Sequence, residues 1–219
     1  MKFNLIDIKN WSRKIYFEHY LNNVRCTYSM TANIEITDLL QEIKLKNIKL
    51  YPTIIYMIST IVNKHEEFRT CFNENNDLGC WDELNPSYTI FHKENETFSN
   101  IWTEYNEEFS LFYKSYLCDI KKYGDIKEFT PKLSDYNNVF PISSIPWVSF
   151  TGFNLNVYND GTYLTPIFTI GKYFKQNEKI FIPIAIQVHH AVCDGYHVSR
   201  FINEMQELAI SFQDWLEIL

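Results

Sequence analysis

Ile180-Phe181-Ile182-Pro183-Ile184-Ala185-Ile186-Gln187-Val188-His189-His190-Ala191-Val192-Cys193-Asp194-Gly195 decides how this chain folds. Residues 180–188 form an apolar run far shorter than the roughly 20 residues of a membrane-spanning helix, and they read as a buried strand. Beyond Gly195, Val198, Phe201, Ile202, Met205, Leu208, Ala209, Phe212, Trp215 and Leu216 recur at helical spacing, with Asp194 or Gly195 as the start of the helix. The histidine pair therefore lies where a buried strand hands over to a long helix, a place where scaffolds expose reactive side chains. Imidazole titrates near pH 6.5, so it can take a proton from an alcohol and return it to a thiolate. A histidine pair at a strand end can equally satisfy core carbonyls, and these residues alone leave both readings open.

Upstream of this junction the pattern alternates between helical and strand periods. Residues 13–21 read as a short helix. Val24, Cys26, Tyr28, Met30, Ala32, Ile34 and Ile36 alternate as a long half-buried strand. Thr37 or Asp38 can cap a helix bearing Leu39, Leu40 and Ile43. Pro52 suits the first position of a helix whose Ile54, Ile55, Met57, Ile58, Ile61 and Val62 leave almost no polar face. Strands are expected over 68–72, 78–81 and 88–92. Phe98, Ile101, Trp102, Tyr105, Phe109 and Phe112 recur at three- and four-residue steps, as in an amphipathic helix. Residues 148–158 and 162–170 read as a hairpin around Asn159-Asp160-Gly161. Together these give an α/β fold of the α+β type: two layers, with a mixed, mostly antiparallel sheet covered by helices, and one domain over 1–219.

Composition narrows the function. With 219 residues and a formal net charge of -7, the chain has no basic cluster to hold a nucleic acid. The N-terminal residues meet Asp7 at once and lack an apolar signal segment, so a soluble, cytoplasmic protein is expected. Five widely spaced cysteines contain no Cys-x-x-Cys pair and read as free thiols in a reducing compartment. Only six glycines are present, and neither a dinucleotide fingerprint nor a P-loop is among them. His189, His190 and His197 lack the spacing and the extra ligands of a zinc site, and no metal is expected.

His189-His190-Ala191-Val192-Cys193-Asp194-Gly195 resembles the His-His-x-x-x-Asp-Gly signature of the CoA-dependent acyltransferases. Trp11-Ser12-Arg13-Lys14, Phe91 to Phe98, Pro146-Trp147-Val148-Ser149-Phe150, Phe153-Asn154-Leu155-Asn156-Val157 and Pro166 to Tyr173 are similar to segments of the chloramphenicol acetyltransferase family, which extends the resemblance over essentially the whole chain. The resemblance implies transfer of acetyl from acetyl-CoA to the 3-hydroxyl of chloramphenicol by direct attack in a ternary complex. His190 would be the general base, its other ring nitrogen held on its own backbone carbonyl. Ser143 would donate to the oxyanion and Thr169 would assist through water. Asp194 would pair with Arg13 to shape the loop.

By the same resemblance Tyr20, Cys26, Phe98, Phe153 and Leu155 would line the drug pocket, and Lys49, Tyr51, Lys172 and Tyr173 would contact CoA. The family further implies a homotrimer with active sites between subunits. From the residues alone, Ser143 is also an ordinary turn serine, and Cys193, three residues from His190, is also a candidate nucleophile. Two rival functions are an acyltransferase with another hydroxyl or thiol acceptor and a non-catalytic drug-binding protein.

Overall fold

The computed structural model describes residues 1–133, 137–157 and 161–217. Among the described residues ten strands are seen: β1 (Phe3–Leu5), β2 (Thr27–Glu35), β3 (Thr70–Phe72), β4 (Leu78–Trp81), β5 (Asn85–His92), β6 (Thr97–Trp102), β7 (Val139–Ile145), β8 (Ile167–Gly171), β9 (Phe174–Gln176) and β10 (Lys179–His189). Five α-helices accompany them: α1 (Lys14–Glu18), α2 (Thr37–Leu45), α3 (Leu50–Lys64), α4 (Phe109–Tyr123) and α5 (Gly195–Ile210).

The main sheet runs β2-β10-β8-β7-β5-β6, with β9 paired to β10, and a small sheet joins β1, β4 and β3. β10 is antiparallel to β2, β8 and β9, as β5 is to β6, while β7 is parallel to both β5 and β8. The expected mixed, mostly antiparallel sheet with covering helices is what forms. β10 lies between β2 and β8 and is buried from Ile182 to His189, which explains why 180–188 carries almost no polar residue. α3 is buried on nearly every side, as its lack of a polar face implies, and its Tyr56 ring meets Phe109, Phe112 and Trp215.

Several local expectations are corrected. Residues 97–102 are strand β6, paired with β5 through Phe91↔Phe98 and Tyr88↔Ile101, and helix α4 starts only at Phe109. Phe98, Ile101 and Trp102 fit a helical period by position, yet a short apolar run fits both periods and strand pairing decides. Residues 148–157 form no strand. Their main chain is held by single bonds, such as Lys172 N–H to the Val148 carbonyl (3.0 Å) and Phe153 N–H to Thr31 Oγ1 (3.3 Å), and β8 pairs with β7 and β10 instead. The apolar alternation there marks an exposed surface: Trp147, Val148, Leu155 and Val157 are all exposed. Asn159 and Asp160 of the expected turn lie outside the described residues; Gly161 has φ +73°, a left-handed conformation that suits glycine.

The remaining differences concern element ends. The first helix passes at His19 into a π-type turn over His19–Asn23, which delays β2 to Thr27 and leaves Val24 and Cys26 outside it. Phe68 closes a 3-10 turn rather than opening a strand. Pro52 stands third in α3, where its missing N–H still removes no intrahelical bond. α5 stops at Ile210, and a 3-10 turn over Phe212–Asp214 continues the apolar face to Trp215. No helix among the described residues is long and apolar enough to cross a membrane.

Candidate active site

β10 delivers His190 one residue beyond its end, where the His190 N–H donates to the Cys26 carbonyl at 2.9 Å. The π-type turn brings Tyr20 flat against the imidazole, with ring centroids 3.8 Å apart and planes 9° from parallel. Tyr28 on β2 meets it edge-on at 5.3 Å. Tyr20 and Cys26, expected at the site, thus surround His190 itself. Tyr28 was not foreseen, although it follows Cys26 at the period of two.

Arg13 stitches the loop that follows. Its Nη1 and Nη2 each reach one Asp194 oxygen at 2.7 Å, Nε donates to the Ala191 carbonyl at 2.8 Å, and Nη2 donates to the His190 carbonyl at 3.0 Å. A bidentate guanidinium suits this task because its donors sit in a rigid fork. The hydrogen-bonded Arg13 also holds the Asp194 carboxyl below its ordinary range. The Arg13–Asp194 pairing read from the sequence is present.

One expected bond is not. His190 Nδ1 makes no well-formed hydrogen bond among the described residues, and its own carbonyl is occupied by Arg13. The group facing Nδ1 is Asp194, with Oδ1 at 3.3 Å. A proton on Nδ1 is drawn to that carboxylate, which leaves the Nε2 lone pair for an outside partner. His189 and His197 use their Nδ1 atoms as acceptors, from the Ala191 N–H at 3.1 Å and the Asp194 N–H at 2.8 Å. Cys193 is buried, its Sγ points to the Glu67 carbonyl at 3.6 Å, and desolvation, with Glu67 beside it, pushes the thiol well above its ordinary value. Such a thiol is a poor nucleophile.

A second group of expected residues gathers elsewhere. Ser143 on β7 and Thr169 on β8 are register partners, and both line a cavity of about 540 Å³ together with Phe98, Phe153, Leu155 and Tyr51. Tyr51 donates to the Thr89 carbonyl at 3.4 Å and stands on this wall. Tyr116 and Ile120 of α4 also stand on this wall; a helical period read over 98–112 does not reach them, because α4 runs on to Tyr123. Lys49 precedes α3, and Lys172 and Tyr173 follow β8; among the described residues no hydrogen bond, ion pair or ring contact joins Lys49 to either.

His190 does not line this cavity. Thr169 is the register partner of Ala185, and His189 lies four residues further along β10, or about 13 Å at the usual rise. Ser143 is one strand beyond Thr169, so within one chain the imidazole and the Ser143 hydroxyl cannot meet across a single substrate bond.

The architecture is shared with solved acetyltransferases. A solved chloramphenicol acetyltransferase, 22% identical, superimposes with TM-score 0.84 over 95% of this chain and 100% of that one. Azotobacter vinelandii dihydrolipoamide acetyltransferase, 13% identical, gives 0.65 over 93% and 88%. The family model described as chloramphenicol acetyltransferase matches residues 1–206. Chloramphenicol acetyltransferases of Clostridium butyricum and Clostridium perfringens are 76% and 68% identical, each over 99% of both chains. The chain belongs to the chloramphenicol acetyltransferase family and is an acyltransferase.

Proposed function

We propose that the enzyme transfers acetyl from acetyl-CoA to the 3-hydroxyl of chloramphenicol, with the whole chain acting as one catalytic domain in the cytoplasm. The observation that carries this reading is the wall of the cavity: largely apolar, within the size range of small-molecule sites, and bearing two hydroxyls, Ser143 and Thr169, side by side. A nitrophenyl ring on a short diol suits such a surface.

In the proposed step the drug hydroxyl gives its proton to His190 Nε2 while its oxygen bonds to the thioester carbon. Negative charge develops on the carbonyl oxygen, where the Ser143 hydroxyl donates to it. Collapse breaks the carbon–sulfur bond, and the imidazolium returns the proton to the departing thiolate. Asp194 beside Nδ1 favours the transient imidazolium. Thr169, next to Ser143, would act through water. Lys49, Tyr51, Lys172 and Tyr173 would hold CoA.

Because His190 and Ser143 of one chain stand too far apart, the reading requires that each site be shared, His190 from one copy facing the cavity of the next in a homotrimer. Support comes from the cavity rim, where Phe91, Phe98, Trp147 and Leu155 are each between 40% and 59% exposed. So large an apolar rim is unusual on a free monomer. Mixing subunits tests it. Trimers reassembled from equal amounts of His190→Ala and Ser143→Ala chains contain sites with both residues intact, and activity far above either parent is expected. Mixed trimers no more active than the parents would contradict the shared site.

A further inference from the structure

His197 is the third residue of α5, and its ring turns back on the loop that carries His190. Its Nδ1 accepts the Asp194 N–H at 2.8 Å, while the Asp194 side chain bonds in return to the backbone at His197. This is a capping box with a histidine where glutamate or glutamine usually stands. Arg13 and His190 Nδ1 converge on the same Asp194 carboxylate, at 2.7 and 3.3 Å. The bond to the His197 imidazole therefore fixes the main chain of the residue whose carboxylate serves both the base and its guanidinium clamp. We infer that neutral His197 is a positioning residue for the reaction, holding the Asp194 main chain in place, and that protonating Nδ1 frees that main chain and shifts the carboxylate from its place beside His190 Nδ1. The inference rests on the reading of His190 as the base.

A protonated Nδ1 would set its N–H against the Asp194 N–H, so the bond is lost, not merely weakened. The charged groups facing the ring are Asp194, with Oδ2 at 3.8 Å, Arg13, and the Glu67–Arg200 pair; Glu66 and Arg69 share with it a cavity of about 530 Å³. Burial holds the imidazole below its ordinary value of 6.5, Arg13 and Arg200 reinforce this, and Glu67 and Asp194 oppose it. The neutral form is thus favoured in the folded state. As pH falls below 6.5 the unfolded chain takes the proton first, so the contribution of the cap is complete above that value and is lost as pH drops through the folded-state value.

The test measures kcat, both KM values and the thermal midpoint from about pH 5 to about pH 8 for the wild type, His197→Leu, His197→Gln and His190→Ala. Glutamine keeps an acceptor that does not titrate. His197→Leu should lose about tenfold in kcat at unchanged KM, the scale of one lost cap. His197→Gln should recover most of that loss and drop one ionisation from the acid limb of the kcat profile. The inference is overturned if His197→Gln is as impaired as His197→Leu or fails to fold, if its acid limb matches that of the wild type, or if both variants lower only the thermal midpoint. Should His197→Leu not fold, His197→Gln decides alone. Turnover retained by His190→Ala would instead remove the functional reading beneath the inference, whereas an inactive His190→Ala beside a fully active His197→Leu would overturn the inference alone.

Discussion

His190→Ala is expected to lower kcat by about 10²–10⁴-fold while the fold survives, the range for loss of a general base. The ring stacks on Tyr20 and faces Asp194, and the main-chain bond to the Cys26 carbonyl does not need the side chain. The structural cost is then mainly two aromatic contacts, with Tyr20 and Tyr28, at about 0.5–1.5 kcal/mol each. Arg13 continues to hold the Ala191 and residue-190 carbonyls and Asp194, so the loop keeps its shape. Saturating turnover measured beside the thermal midpoint separates the two effects. Turnover near that of the wild type would remove His190 from the mechanism.

Ser143→Ala is expected to reduce kcat by about 10²–10³-fold with little change in KM, because the bond it donates is made chiefly to the tetrahedral intermediate. Ser143 adjoins Thr169 on the wall of the cavity, and a methyl in place of the hydroxymethyl leaves the apolar lining intact. Cys193→Ala should remain active, since the thiol is buried, bonded to the Glu67 carbonyl and disfavoured as thiolate. A nucleophile at either position would show itself differently. Wild-type enzyme mixed with acetyl-CoA alone would gain one acetyl group in its intact mass and lose it when chloramphenicol was added. Direct transfer predicts an unchanged mass.

The parts of the site legible in the sequence were those written close together. Residues 180–195 spell a buried strand, a tight turn and a helix start, and the structure sets His190 and Asp194 where that reading expects them. Arg13, 181 positions from Asp194, was reached only through the family resemblance, since no local pattern links two charges so far apart. The cavity was harder to foresee because β5, β6, β7, β8 and α4 all contribute to it. Phe98 satisfied both periods, and a helical period read over 98–112 does not reach Tyr116 and Ile120. The rim at 147–157 alternated like a strand because an apolar surface needs apolar residues whether or not it pairs in a sheet. No local pattern could show that His190 and Ser143 of one chain lie too far apart, since that separation follows from the registers of β7, β8 and β10.

The most direct test of acetyl transfer is the release of free thiol from acetyl-CoA by the wild-type enzyme, followed with and without chloramphenicol. Transfer to the drug through a ternary complex predicts release that starts only when chloramphenicol is present and matches the amount acetylated. Equal release without the drug, or none in its presence, would contradict it.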